Sequence, residues 1–240
     1  MAADASPSLI HVPDLGAAGG ELEIAGEEAR YLTRVVRVRP GERVSATDGR
    51  GGIAALEILA LGQVVRARTL SLERRVRAAS LELWCGAPEG DRGDWLVEKL
   101  AELGVARLQP IDAERGAWEG AGRRAARWDR LALAALRQSR SPFRLEIRPP
   151  ARLDGLVAAL EGGTLWLCLP EGVPAAGAAV GRTGHTIAAV GPSSGFTAGE
   201  VKLLQSWGFG GLSLGPTRLR TETAALTVAA LWSAVRGPGG

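Results

Sequence analysis

The chain has 240 residues, 46% of them apolar and 23% charged, which is enough to bury a core in one large domain or two small ones. Its formal net charge of +3 is too small to argue for a polyanionic partner by itself. No uninterrupted apolar run reaches membrane-spanning length, the two histidines and two cysteines show no metal-ligand spacing, and the opening MAADASPSL lacks the features of a secretory signal.

From Leu9 to about Arg75 the sequence reads as short extended runs broken by turn signals at Pro13, Gly19-Gly20, Pro40-Gly41, Asp48-Gly49 and Gly51-Gly52. That pattern predicts a small β-rich domain. Glu27 to Val38 is an exception, because Tyr31, Leu32, Val35 and Val36 recur at helical spacing. A short helix there would leave Arg30, Arg34 and Arg37 as a basic stripe on its other side. Residues 1–29 hold six acids and no Lys or Arg, whereas Arg30 to Arg77 hold eleven Arg against four acids. A second basic stretch, Arg123 to Arg152, sets nine Arg against two acids. Two such stretches suit contacts with nucleic-acid phosphate, although with only Lys99 and Lys202 as lysines Arg is also this chain's ordinary surface cation.

Beyond Arg77 strands and helices alternate, which predicts domains over 1–76 and 77–240. The second has strands over Leu81 to Cys85, Val105 to Ile111, Leu145 to Arg148, Thr164 to Leu169, Thr186 to Val190 and Leu212 to Leu214. Its helices cover Asp94 to Leu103, closed by Gly104, then Arg123 to Ser139, Asp154 to Leu160 and Glu222 to Val235. Another opens at Thr197 through the capping box Thr197-x-x-Glu200 and ends at Gly208. The alternation implies a parallel sheet covered on both faces. Cys85 and Cys168 lie in the apolar runs LELWCG and LWLCLP and are expected as buried thiols in a reducing cytoplasm.

Ligands bind open α/β sheets beyond the carboxyl ends of the strands, so those loops are where chemistry is sought. The first, GAPEGDRG at Gly86 to Gly93, does not match GxGxxG, which argues against an ordinary dinucleotide or Rossmann methyltransferase site at the first strand turn. P-loops, metal clusters and Ser/His/Asp triads have no match, and His185 reads as an ordinary loop residue. The distinctive loops come late: GPSSGFTAGE at Gly191 to Glu200 and SLGPTRLRTETAAL at Ser213 to Leu226. Each follows a short apolar strand and runs into a helix start, where Gly191, Gly195 and Gly215 let backbone approach a ligand. A glycine loop can equally serve a turn alone.

Taken together, these loops resemble those of the RsmE-type 16S rRNA (uracil-N3)-methyltransferase family of the SPOUT superfamily. Further matches are Arg34 to Arg37, Pro40-Gly41, Asp48-Gly49, Gly90-Asp91-Arg92, Glu98 to Val105, Pro110, Glu114-Arg115, Trp128 and Gln138-Ser139. The most specific are GPxxGFT, SLG and LRTETAAL. The resemblance implies a PUA-like or OB-like β-barrel followed by a SPOUT-type parallel sheet with a C-terminal deep trefoil knot. It also implies a cytoplasmic homodimer that binds S-adenosylmethionine, acts on 16S rRNA or the small ribosomal subunit, and needs neither metal nor membrane. By analogy the cofactor would touch Leu167, Leu169, Pro170, Gly191, Pro192, Gly195, Leu214, Gly215 and Leu219, and RNA would meet Arg30, Arg34 and Arg37. The chain departs from the family's usual GPEGGF at Ser193 and Ser194, from its LGxRILR at Thr217 and Arg218, and from the usual Glu at Arg137.

Methylating uridine N3 requires loss of an imide proton, a guanidinium to stabilise the anion, and an acceptor to orient the base. Arg220 and Glu222, at the mouth of the last loop, are the expected catalytic groups. Glu222 also suits a helix N-terminus electrostatically. Two other readings stay open: a SPOUT paralogue with a different RNA nucleotide, and a non-catalytic RNA-binding relic of the fold.

Overall fold

A computed structural model of the chain describes residues 8–159, 163–175, 178 and 184–235. It divides into two compact units, the first Met1–Val76 with Leu136–Arg144, the second Arg77–Ala135 with Leu145–Gly240.

The first unit holds β1 (Leu9–His11), β2 (Glu21–Ile24), α1 (Gly26–Arg30), β3 (Arg43–Thr47), β4 (Gly52–Ala60) and β5 (Val65–Arg74). Its sheet runs in the order β1-β3-β4-β5-β2, with β1 parallel to β3 and the other pairs antiparallel. Along β4, Ala54, Leu56 and Ile58 are buried and their neighbours partly exposed, the alternation of a sheet with one face on a core. That core is closed by Ile10, Leu32, Val44 and Val65.

The expected helix over Glu27 to Val38 forms differently. α1 ends after five residues, and Tyr31–Val36 continues as a π-helical turn closed by Arg37 in the left-handed conformation at φ 59°. A π turn bonds i to i+5, so helical spacing no longer keeps one face apolar. Leu32 stays buried, but Val35 turns outward, 67% exposed. Arg30, Arg34 and Arg37 are exposed.

The segment Leu136–Arg144 joins this unit through its backbone. Gly51 N–H donates to Pro142 O at 2.9 Å and Arg144 N–H to Gly49 O at 2.8 Å. Arg137, which stands where the family has Glu, lies 5.2 Å from the Tyr31 ring centroid and pairs at 3.5 Å with the buried Glu28. Burial pushes the Glu28 carboxyl above its ordinary pKa, against the pull of Arg137.

The second unit holds β6 (Ala79–Gly86), α2 (Arg92–Glu102), β7 (Arg107–Asp112), α3 (Ala121–Ser139, whose last turn groups with the first unit), β8 (Glu146–Ile147), β9 (Ala151–Arg152) and a 3-10 helix, Leu153–Ala159. Then follow β10 (Thr164–Pro174), β11 (Gly184–Val190), α4 (Ala198–Ser206), β12 (Gly210–Ser213) and α5 (Thr221–Ala234). The helix expected over Asp154 to Leu160 is thus a 3-10 helix from Leu153, and its expected end, Leu160, lies outside the described residues. The sheet is parallel, ordered β12-β10-β11-β6-β7-β8, with β9 also on β7. Both faces are covered, as the alternation predicts. Leu83 and Cys85 pack with Leu96 and Leu100 of α2, Trp128 of α3 and Val228 and Trp232 of α5. Trp84 and Ile187 pack on the opposite face with Leu204 of α4, Leu153 and Phe209.

The strand expected to stop at Leu169 continues to Pro174. Its pairing with β12 shifts register between Cys168 and Val173, so Leu212 faces both residues. Because β12, β10 and β11 are neighbours, their carboxyl ends form one continuous rim. Among the described residues no helix is long and apolar enough to cross a membrane.

Candidate functional site

At that rim lies a cavity of about 550 Å³. β10 supplies Cys168, Leu169 and Pro170, the loop after β11 supplies Gly191, Pro192, Gly195 and Phe196, and the loop after β12 supplies Leu214, Gly215 and Leu219. Thr221 and Ala224 of α5 close the remaining side. Of the nine expected cofactor contacts, eight line the cavity. Leu167, next to the lining Cys168, does not: its side chain is fully buried in the core with Trp84, Ile187 and Leu204.

Cys168, Ser193, Phe196, Thr217, Arg218 and Thr221 also line the cavity. Cys168, Ser193, Thr217 and Arg218 fall inside the three segments to which the resemblance points, 167–170, 191–195 and 214–219, and Phe196 and Thr221 lie just beyond them within the quoted motifs. Arg218 is the cavity's charged lining residue and occupies one of the positions where the chain departs from the family. Cys168 is half-buried as a residue, yet its thiol is held in apolar surroundings, so burial pushes its pKa up to about 12. Cys85, beneath it, is fully buried and shifted the same way, by burial first and then by Cys168 and Glu222.

The loop after β11 is fastened on several sides. Thr197 and Glu200 form the expected capping box. The buried Glu200 accepts from Thr197 N–H through Oε2 and from Glu114 N–H through Oε1, each at 2.8 Å. Ser194 Oγ donates to Arg115 O at 2.8 Å. The departure from GPEGGF at this position therefore adds a tether to the β7 loop. Across the cavity, Thr221 Oγ1 donates to Gly191 O at 3.0 Å and ties the start of α5 to the same loop.

Arg220 is the N-cap of α5, with its side chain 59% exposed and Nη1 4.0 Å from Glu89 Oε2. Glu222 was expected at the mouth of the loop but is 3% exposed, its Oε1 accepting from Arg92 Nη1. Its Oε2 is buried and without a hydrogen-bond partner among the described residues. An ionised carboxylate cannot be left unpaired in such a place, so Arg92 is the cation that makes this position tenable. His185 sits in β11, with Nδ1 2.7 Å from Ser80 Oγ, away from the rim. Among the described residues no three potential metal ligands converge.

The family described as RNA methyltransferase domain matches residues 75–233, and the family described as RNA methyltransferase PUA domain matches residues 24–63. A crystal structure of a ribosomal RNA small subunit methyltransferase E from Neisseria gonorrhoeae bound to S-adenosyl methionine has a TM-score of 0.81 and 25% identity, covering 93% of this chain and 95% of that one. The ribosomal RNA small subunit methyltransferase E of Mycobacterium bovis is 28% identical over 90% of this chain and 87% of its own length. The protein of that name from Aquifex aeolicus is 32% identical over 58% of this chain, an alignment that spans 61% of its own length.

Proposed function

The chain belongs to the RNA methyltransferase family, and from that membership we propose that it transfers a methyl group from S-adenosylmethionine to N3 of a uridine in 16S rRNA of the small ribosomal subunit. The observation that carries the proposal is the strand-end cavity inside the matched domain. Its volume is ordinary for a small-molecule site. A Cβ built on Gly195 or Gly215 meets nothing within 4 Å, so both glycines border open space rather than protein. Leu169, Pro170, Leu214 and Leu219 offer apolar walls for an adenine ring, the backbone of Gly191, Pro192, Gly195 and Gly215 offers close polar contact, and Arg218 suits the carboxylate of the methionine moiety. Leu167 supports these contacts from below.

When bound, the cofactor supplies a sulfonium-activated methyl group: the N3 lone pair forms the new N–C bond, the C–S electrons stay on sulfur, and the N3 proton leaves to solvent. N3 lies on the pairing edge, so the base enters unpaired or flipped. Arg220, exposed beside the cavity-lining Leu219 and Thr221, stabilises the charge left on the imide. Glu222 serves the site from beneath, through the cation it fixes. Arg30, Arg34 and Arg37 hold RNA from the 1–76 domain, and 77–240 is the methyltransferase domain. The C-terminal segment passes through a deep trefoil knot. Two copies pair through α5, whose Ala230 and Ala234 are exposed, and α2, where Trp95 is 48% exposed. The protein acts in the cytoplasm.

The test is methyl transfer from labelled S-adenosylmethionine to 16S rRNA and small subunits lacking the modification, with mass mapping of the product. Label at uridine N3 is expected, and Arg220→Ala should reduce it by about 10² to 10³. Label on another nucleotide would leave a methyltransferase with a different target, and a protein that neither binds the cofactor nor transfers label would leave an RNA-binding relic.

A further inference from the structure

We propose that Arg92 is a second substrate-contacting guanidinium, which donates to the target uracil as negative charge builds on its imide. The inference rests on the function proposed above and adds a residue to it.

Arg92 is the first residue of α2, just past the loop at the carboxyl end of β6. A cation at a helix N-terminus opposes the helix dipole, so stability of α2 does not explain its presence there. Its partner is equally informative. The Glu222 side chain is 4% exposed and the Arg92 side chain 43%, so the carboxylate lies inside and the guanidinium reaches outward. Contact is through Nη1, and among the described residues the other N–H groups of Arg92 have no partner. An anchored guanidinium with spare donors loses little conformational freedom when it meets a substrate, which is the condition for electrostatic preorganisation. Arg124 and Arg127 differ, since they pair with Asp91 and Asp94 at 3.4 and 2.5 Å as surface ion pairs.

Location supports the same role. Two ion pairs of opposite polarity, Glu89 with Arg220 and Arg92 with Glu222, join the segment leading into α2 to the start of α5. Between Arg220 and Glu222 in sequence is Thr221, which lines the cavity and bonds Gly191 O. Arg92 and Arg220 therefore belong to the same edge of the site. α2 adds the partial positive charge of its free N–H groups, so a developing anion there meets three sources of positive potential.

The experiment measures methyl transfer by the full chain to unmodified small subunits under single-turnover conditions. It is paired with calorimetry of S-adenosylmethionine binding and a thermal melt. Arg92→Met should lower the transfer rate by about 10² to 10³ at saturating RNA, with cofactor affinity changed less than about threefold and the apparent RNA affinity little changed. Because Met leaves Glu222 unpaired, Arg92→Lys is the variant that keeps the buried charge balanced. It should fold like the parent and still lose at least about tenfold in rate, because an ammonium held by Glu222 lacks the planar fork. Parent-like transfer by Arg92→Lys, or a loss confined to RNA affinity, would overturn the assignment, the latter making Arg92 a phosphate contact. A parent protein that transfers no methyl to RNA would instead remove the function on which the inference rests.

Discussion

Asp48→Ala removes the acceptor around which the turn between β3 and β4 is built. Asp48 is 6% exposed, and its Oδ1 accepts from Arg50 N–H at 2.7 Å and from Gly52 N–H at 2.8 Å. Burial alone would raise its pKa, but these two N–H groups, and then Arg74 and Arg50, hold the carboxyl below its ordinary value. Its stabilising contribution is therefore present above the unfolded value of about 3.8 and is lost as pH falls through the lower folded value. In Asp48→Ala, Gly52 N–H stays buried without a partner, at about 1–3 kcal/mol, while the less buried Arg50 N–H regains water at under about 1 kcal/mol. The arginine side chains are 72% and 66% exposed, so their ion pairs add less than about 1 kcal/mol. The total, about 1–5 kcal/mol, lowers the melting midpoint of a unit this size by about 4–8 °C per kcal/mol. The same turn holds Pro142 and Arg144 through backbone bonds, while the cofactor cavity lies in the second unit and keeps its affinity. Thermal denaturation followed by circular dichroism reads the stability change, with Asp48→Asn, which keeps the Oδ1 acceptor, as control. An Asp48→Ala melt within about 2 °C of the parent would refute the reasoning.

Gly215→Val forces a branched side chain onto φ +140° and fills cavity space. Strain of about 1–3 kcal/mol predicts at least about fivefold weaker S-adenosylmethionine binding by calorimetry, read beside a melt to exclude unfolding. Arg34→Ala with Arg37→Ala should flatten the salt dependence of RNA affinity by a log–log slope of roughly 1.4 and leave cofactor affinity unchanged; an unaltered slope returns both residues to solvated surface. At pH 8 a Cys168 thiol with a pKa of about 12 is roughly 10⁻⁴ ionised. Iodoacetamide should label it slowly in the folded protein and readily after denaturation. Between the ordinary value of 9.0 and about 12 only the unfolded thiol ionises, so this group's contribution to stability falls as pH rises through that window.

Features that depend on near neighbours were legible in the sequence. The Thr197-Glu200 capping box, the parallel sheet and the glycine loops after β11 and β12 all follow from hydrophobic periodicity, helix-start chemistry or a backbone turn at positive φ, as at Gly195 and Gly215. The two glycine loops lead to Gly191, Pro192, Gly195, Leu214, Gly215 and Leu219 of the cavity lining, whereas Leu169 and Pro170 were expected from the family resemblance alone. Partner choice over long separations was decided only by the tertiary structure. Arg92 and Glu222 are 130 residues apart, and nothing local to either tells that the carboxylate is buried and the guanidinium is not. Val35 was misplaced because a π turn breaks the helical period on which the expectation relied. Leu136–Arg144 groups with the first unit through backbone bonds to Gly49 and Gly51, which carry no side-chain signature. β10 runs on to Pro174 because Leu212 takes a second partner there, a register that exists only once the strands lie side by side. Periodicity reports which face of an element is apolar, whereas the identity of what covers that face is set when the whole chain has closed around it.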